Sequence, residues 1–120
     1  MNKMTKVLIS IALIAAAPLA LACDYATPPK ELPDGTSASK EEMLVGVKMI
    51  ADYQEKMSAY LTCLEADEIV AMQSLGEEDG DAKEKLKTMS NKKYNAAVDE
   101  QTRTVELFNA EIRAFKARSK

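Results

Sequence analysis

A helical stripe of apolar residues between positions 43 and 64 constrains the fold more than any other part of the sequence. Its side chains recur at steps of three and four residues, which is the spacing of one helix face and not of a strand. Ser39 followed by Glu42 matches a capping box, in which two side chains satisfy each other's backbone N–H groups. The pattern predicts a first helix over residues 40–75 that stops at Gly76. The stripe consists of Met43, Val47, Ile50, Met57, Leu61 and Leu64.

A second stripe with the same spacing follows a short acidic segment and runs from Leu86 to Phe115. Asp81 and Glu84 form another capping-box pattern, which predicts a second helix over residues 82–117. Two helices of about 36 residues joined by a short turn pack antiparallel. The predicted fold is therefore all-α, an antiparallel two-helix hairpin over residues 39–120. A turn centred near Asp79 would place Ile50 opposite Phe108 and the richest core at the end away from the turn.

The first 22 residues have the pattern of a secretory signal peptide. Lysines precede an uncharged apolar run over residues 7–21, and Ala20 and Ala22 occupy the small-residue positions of a cleavage site before Cys23. The run is shorter than the ~20 residues that a transmembrane helix needs. We therefore expect cleavage near Ala22, a periplasmic or secreted protein, and no membrane span.

Cys23 and Cys63 are the two cysteines of the chain. In an oxidising compartment an even number of cysteines predicts a disulfide, and two cysteines allow one pairing. The alternative is a lipoprotein that is acylated at Cys23, the first residue after the expected cleavage. Lipoprotein signals typically carry leucine three residues before that cysteine, where this chain has Ala20. Acylation would also leave Cys63 as a free thiol.

Residues 23–38 are rich in proline and contain a turn signal at Pro33-Asp34-Gly35, so we expect an extended segment rather than a folding unit. About 16 extended residues reach ~53 Å, whereas a helix climbs only ~36 Å from Ser39 to Cys63. The segment is long enough to run back along the first helix and is predicted to be a strap that ends in the disulfide. Tyr53 and Tyr60 lie near Cys63 and are expected to pack against it.

Two helices alone leave much of each stripe exposed, so a third layer is needed. The strap is one candidate, and a second hairpin that completes a four-helix bundle is the other. We expect a strapped monomer that associates weakly into a homodimer. The other possible partner is a different protein.

The composition argues against catalysis and nucleic-acid binding. The chain has no histidine, which removes the commonest general base and transition-metal ligand. A small hairpin also offers little concavity for a substrate. The formal net charge is −3. Loss of residues 1–22 would remove two lysines and make the net charge more negative, so the protein would repel phosphates. We predict no enzyme activity, no catalytic residue and no cofactor.

Two patterns that resemble metal sites do not meet the requirements of one. The acidic segment 77–81 fails the EF-hand pattern, since Leu75 would occupy the first ligand position and lysines fill the downstream half. The methionines could suggest copper, but Met43 and Met57 lie where the core stripe needs them. We therefore predict no metal site.

The sequence resembles a group of small exported proteins of Gram-negative bacteria that have no assigned activity. The resemblance rests on Cys23, the segment LPDGTSASKEEM at 32–43, Tyr53, Tyr60 and the Cys-Leu pair at 63–64. It implies export and the cysteine pair, and it transfers no functional residue. From the sequence we expect a non-enzymatic exported protein that acts as a structural or protein-interaction module.

Overall fold

The protein is an all-α hairpin, as predicted. A computed structural model describes residues 23–119, so the expected signal peptide at 1–22 lies outside the described residues. Helix α1 spans Lys40–Gln73, helix α2 spans Gly80–Arg118, and the two pack against each other. Within residues 23–119 there is no strand, and neither helix has a stretch long and apolar enough to cross a membrane.

Helix α1 begins as the sequence predicts and ends slightly earlier. Ser39 is the N-cap: its backbone N–H donates to Glu42 Oε2 at 2.6 Å, and its Oγ accepts from the Glu42 N–H at 3.1 Å. The helix ends at Gln73, two residues before the predicted end at 75. The Ser74 N–H donates to the Val70 carbonyl, and the Ser74 hydroxyl donates to the Ala71 carbonyl. A serine that bonds the last turn satisfies the terminal carbonyls and stops the helix.

The predicted capping box at the start of α2 is wrong. The helix begins at Gly80 with Asp79 as N-cap, and the Asp79 side chain makes no capping bond. Instead, Asp79 Oδ2 accepts the Gly76 N–H at 2.9 Å, and the Asp79 N–H donates to the Gly76 carbonyl at 3.2 Å. Asp79 therefore closes the turn between the helices, which places the helix start upstream of Asp81. Residues 90–93, the least apolar part of the second stripe, are continuously helical.

The core lies away from the turn, as predicted, in two clusters. The strap cluster contains Ala26, Tyr53, Met57, Tyr60 and Ala97, and the end cluster contains Ala38, Met43, Ile50 and Phe108. Ile50 and Phe108 share the end cluster, which confirms the predicted register of the hairpin. Met43 and Met57 are buried, which confirms their interpretation as core residues. By contrast, no residue from 64 to 94 is buried.

The strap, residues 23–38, reaches both helices. The Gly35 N–H donates to Glu111 Oε2 at 2.7 Å, and a Cβ on Gly35 would overlap the Glu111 carbonyl oxygen. The turn that contains Gly35 is held by Asp34, whose Oδ1 accepts from the hydroxyl and the N–H of Thr36. These hydrogen bonds, led by the one from the hydroxyl, lower the pKa of Asp34. Backbone-to-backbone contact at Gly35 thus seats the strap on α2, where any side chain would push it away.

The last turn of α2 is joined to the end of the strap. The Arg118 guanidinium donates to the Ala38 carbonyl and also lies 5.1 Å from the centre of the Phe115 ring. Ala38 directly precedes Ser39, the N-cap of α1. The C-terminal end of α2 therefore holds the point where the strap becomes α1.

The close approach at Gly35 makes a testable prediction about stability. We expect Gly35→Ala to lower the free energy of unfolding by about 1–3 kcal/mol, because the new methyl group meets the α2 backbone and the strap must shift. The loss should lower the melting temperature, measured by circular dichroism, by about 4–8 °C per kcal/mol.

Gly80→Ala is the matched control, because nothing lies within 4 Å of a Cβ at Gly80. It should leave the melting temperature unchanged or raise it, since alanine is the better helix former. Equal melting temperatures for Gly35→Ala and the unmodified protein would mean that the strap does not seat on α2.

Candidate functional site

The strap junction is where the start of the strap meets both helices. We define it by Cys23, Tyr25 and Ala26 of the strap, Tyr53, Tyr60 and Cys63 of α1, and Ala97 and Glu100 of α2. The α1 residues fall at steps of seven and three, so they lie on one side of the helix. Beside the junction is an open cavity of about 600 Å³ whose lining includes Asp24, Lys56 and Tyr60.

The predicted disulfide is present at the junction. Cys23 and Cys63 are bonded with their Cα atoms 5.6 Å apart, which lies within the normal range for disulfides. The bond joins residues 40 positions apart. In the chain-entropy view, closing a loop of this size stabilises the fold by about 4 kcal/mol, because it restricts the unfolded chain. A hairpin with so small a core depends on such a contribution.

The tyrosines pack against the strap, as predicted. The Tyr25 ring contacts the Tyr60 ring edge to face, with 5.1 Å between centroids, and the Tyr25 hydroxyl donates to Glu100 on α2. Tyr25 therefore links α1 and α2 through one side chain. The Tyr53 ring is buried, and its hydroxyl has no hydrogen-bond partner among the described residues. Tyr53 thus contributes apolar packing at the cost of a desolvated hydroxyl.

Asp67 lies beside the disulfide. Its Oδ2 is 3.3 Å from Cys23 Sγ, and these two residues with Cys63 form the group in residues 23–119 that has the spacing of metal ligands. The sulfurs are joined to each other, so neither is the thiolate that binds metal. The contact is also no hydrogen bond, because a disulfide sulfur carries no proton. The negative carboxylate should instead repel an approaching thiolate and slow reduction of the disulfide.

The half of the hairpin nearest the turn carries three large apolar residues that are more than half exposed, and we call them together the distal surface. It consists of Ile69 and Val70 on α1 and Met89 on α2, which are 58%, 66% and 56% exposed. Ile69 and Val70 lie off the apolar stripe of α1 and were not predicted to be functional residues. Two adjacent β-branched residues outside the stripe were the signal that could have revealed them. Met89 has the spacing of the second stripe, three residues after Leu86, yet it is exposed.

The arrangement suits packing and binding better than chemistry. In the described part of the chain, the strap junction offers rings, a disulfide and the side chains of Asp24 and Lys56, with no paired acid and base around a buried pocket. The distal surface offers aliphatic side chains on two neighbouring helices. No protein-family model, curated protein or solved structure matches the chain.

The disulfide predicts a loss of stability when Cys63 is changed. Cys63→Ser should lower the melting temperature by at least several degrees and leave the helical signal at 222 nm largely intact, because the bond acts mostly on the unfolded chain. Reduction of the unmodified protein with a dithiol should give the same shift.

The neighbouring change Thr62→Ser is the control, because Thr62 is exposed and takes no part in the bond. Its melting temperature should match that of the unmodified protein and fall on reduction. A Cys63→Ser protein that melts with the unmodified protein would contradict the stabilising role of the disulfide.

Proposed function

We propose that the protein is an exported, non-enzymatic helical module that binds other protein surfaces in the periplasm or outside the cell. The distal surface carries this proposal. Leu44, Val45 and Leu107 are exposed to a similar degree, but they lie in the half of the hairpin that has a core and a strap. The distal surface lies within residues 64–94, where no residue is buried, and an exposed apolar surface in such a half favours a partner that covers it. The strap junction serves as the rigid support that holds the two helices behind that surface.

Export is supported by the disulfide and by the signal pattern at residues 1–22. Disulfides form and persist in oxidising compartments and are rare in the reducing cytosol. The cleavage expected before Cys23 would leave the strap starting at its own disulfide. The absence of histidine from the whole chain, and the lack of a paired acid and base at the strap junction, support a binding role over catalysis.

The competing proposal is a lipid-anchored protein acylated at Cys23. It is favoured by the position of Cys23 directly after the expected cleavage site. It is opposed by the disulfide, because the sulfur that bonds Cys63 is the same sulfur that a lipid would modify. A single sulfur atom takes one of these two partners.

The disulfide-bonded protein and the lipid-anchored protein differ in intact mass. The mass is measured on the protein made from the full chain in a Gram-negative host. We expect a periplasmic or secreted product that starts at Cys23 and lacks two hydrogens relative to the reduced chain. An acylated mass with a free Cys63 thiol would instead establish the lipid anchor. The chain without residues 2–22 is the control and should stay in the cytoplasm, reduced.

Binding is tested with the exported protein as bait in chemical crosslinking. We expect crosslinked complexes that are lost in the double variant Ile69→Ser/Val70→Ser, because it removes the aliphatic groups of the distal surface. Leu44→Ser/Val47→Ser is a matched control, since these residues are similarly exposed at the other end of α1. Complexes that survive the Ile69/Val70 change, or none at all, would contradict the proposed role.

A further inference from the structure

The distal half of the hairpin, residues 64–94, lacks the third layer that the rest of the protein has. The strap is bonded to α1 at Cys63 and lies along the part of α1 that precedes it. Every buried residue of the described chain lies outside 64–94. Helix pairs become stable in water when a third or fourth helix covers their apolar sides. The distal half therefore has two of the helices of a bundle and needs the others.

The two helices of the distal half carry opposite charge. The distal part of α1, residues 64–73, has three acidic residues and no basic one, whereas residues 80–94 of α2 contain five lysines and two acidic residues. The acidic residues of α1 are Glu65, Asp67 and Glu68, and the lysines of α2 are Lys83, Lys85, Lys87, Lys92 and Lys93. Each copy of the chain thus presents one acidic edge and one basic edge, which makes the distal half complementary to itself.

We propose that the distal half binds the distal half of a second copy of this chain and forms a four-helix bundle. A two-fold axis parallel to the bundle would place α1 of each copy beside α2 of the other, so that acidic and basic helices alternate around the bundle. All four edges between neighbouring helices then join opposite charges. The contact would cover apolar side chains of the distal surface, and the strapped halves of the two copies would project from the same end of the bundle.

The inference rests on the proposed binding role and identifies the partner. Like-charged partners would be rejected by one edge or the other, since the surface has both signs side by side. A uniformly acidic or basic protein would be attracted to one helix and repelled by the other. A second copy of the chain meets both edges with the right sign.

The first test is the mass of the purified, oxidised protein by sedimentation at several concentrations. We expect a dimer at low ionic strength that dissociates as salt is added, because the edge charges are exposed and screened. The Ile69→Ser/Val70→Ser variant should be monomeric, and the matched Leu44→Ser/Val47→Ser variant should remain dimeric. None of these residues is buried, so helical content should be unchanged.

The second test exchanges the charges of the two edges. One variant carries Glu65→Lys, Asp67→Lys and Glu68→Lys on α1, and the other carries Lys85→Glu, Lys87→Glu and Lys93→Glu on α2; none of these residues is buried. Each variant alone should lose the dimer, since both edges of the distal half then have the same sign. An equal mixture should form a dimer with one chain of each kind, recognised by its mass in native mass spectrometry.

An unmodified protein that is monomeric at every concentration would overturn the pairing, as would a mixture of the two charge variants that stays monomeric. If that monomer still crosslinks to other proteins through Ile69 and Val70, the self-pairing fails while the proposed binding role stands. If it crosslinks to none, both fail.

Discussion

The bond between Cys23 and Cys63 is the constraint on which the rest of the structure depends. It fixes one end of the strap against α1, while the chain itself fixes the other end at Ser39. Between these two points the strap can cover only the part of α1 that precedes Cys63. Tyr53, Tyr60 and Ala97 are buried because the strap lies there. The disulfide thus decides which half of the hairpin has a core and which half is left open.

Within the strapped half, single residues join three segments at a time. Tyr25 leaves the strap, packs on Tyr60 of α1 and donates to Glu100 of α2. Gly46 is the position on α1 where α2 and the strap both come close. A Cβ there would lie 2.7 Å from the Phe108 ring and 2.9 Å from Pro33. A glycine at that position lets α2 and the strap approach the same spot on α1. The strap, α1 and α2 are therefore packed together as one unit in this half of the hairpin.

The general fold was predictable because it follows from local pattern. The spacing of Met43, Ile50 and Met57 defines the face of α1, and a turn centred near Asp79 sets Ile50 opposite Phe108. The Ser39 cap was predictable for the same reason, since its partner is three residues away. The reach of the strap followed from chain geometry alone.

What was missed depends on contacts between distant residues or on competition between neighbouring ones. Asp81 and Glu84 have the right spacing for a cap, but Asp79 closes the turn first and starts the helix earlier. The seat of Gly35 on Glu111 joins residues 76 apart, and no local pattern announces it. Exposure of Ile69 and Val70 appears only once the end of the strap is known.

The uneven distribution of the core means that different parts of each helix open independently. Backbone amides near Tyr53 and Phe108 are released to solvent only when the disulfide-closed half comes apart as a unit. Amides near Val70 and Met89 open by fraying from the turn, at a smaller free-energy cost. Hydrogen exchange along α1 should therefore be slow up to about Cys63 and rise beyond it, although α1 is one uninterrupted helix. Wherever the distal half is covered by another chain, that step in exchange rate should disappear.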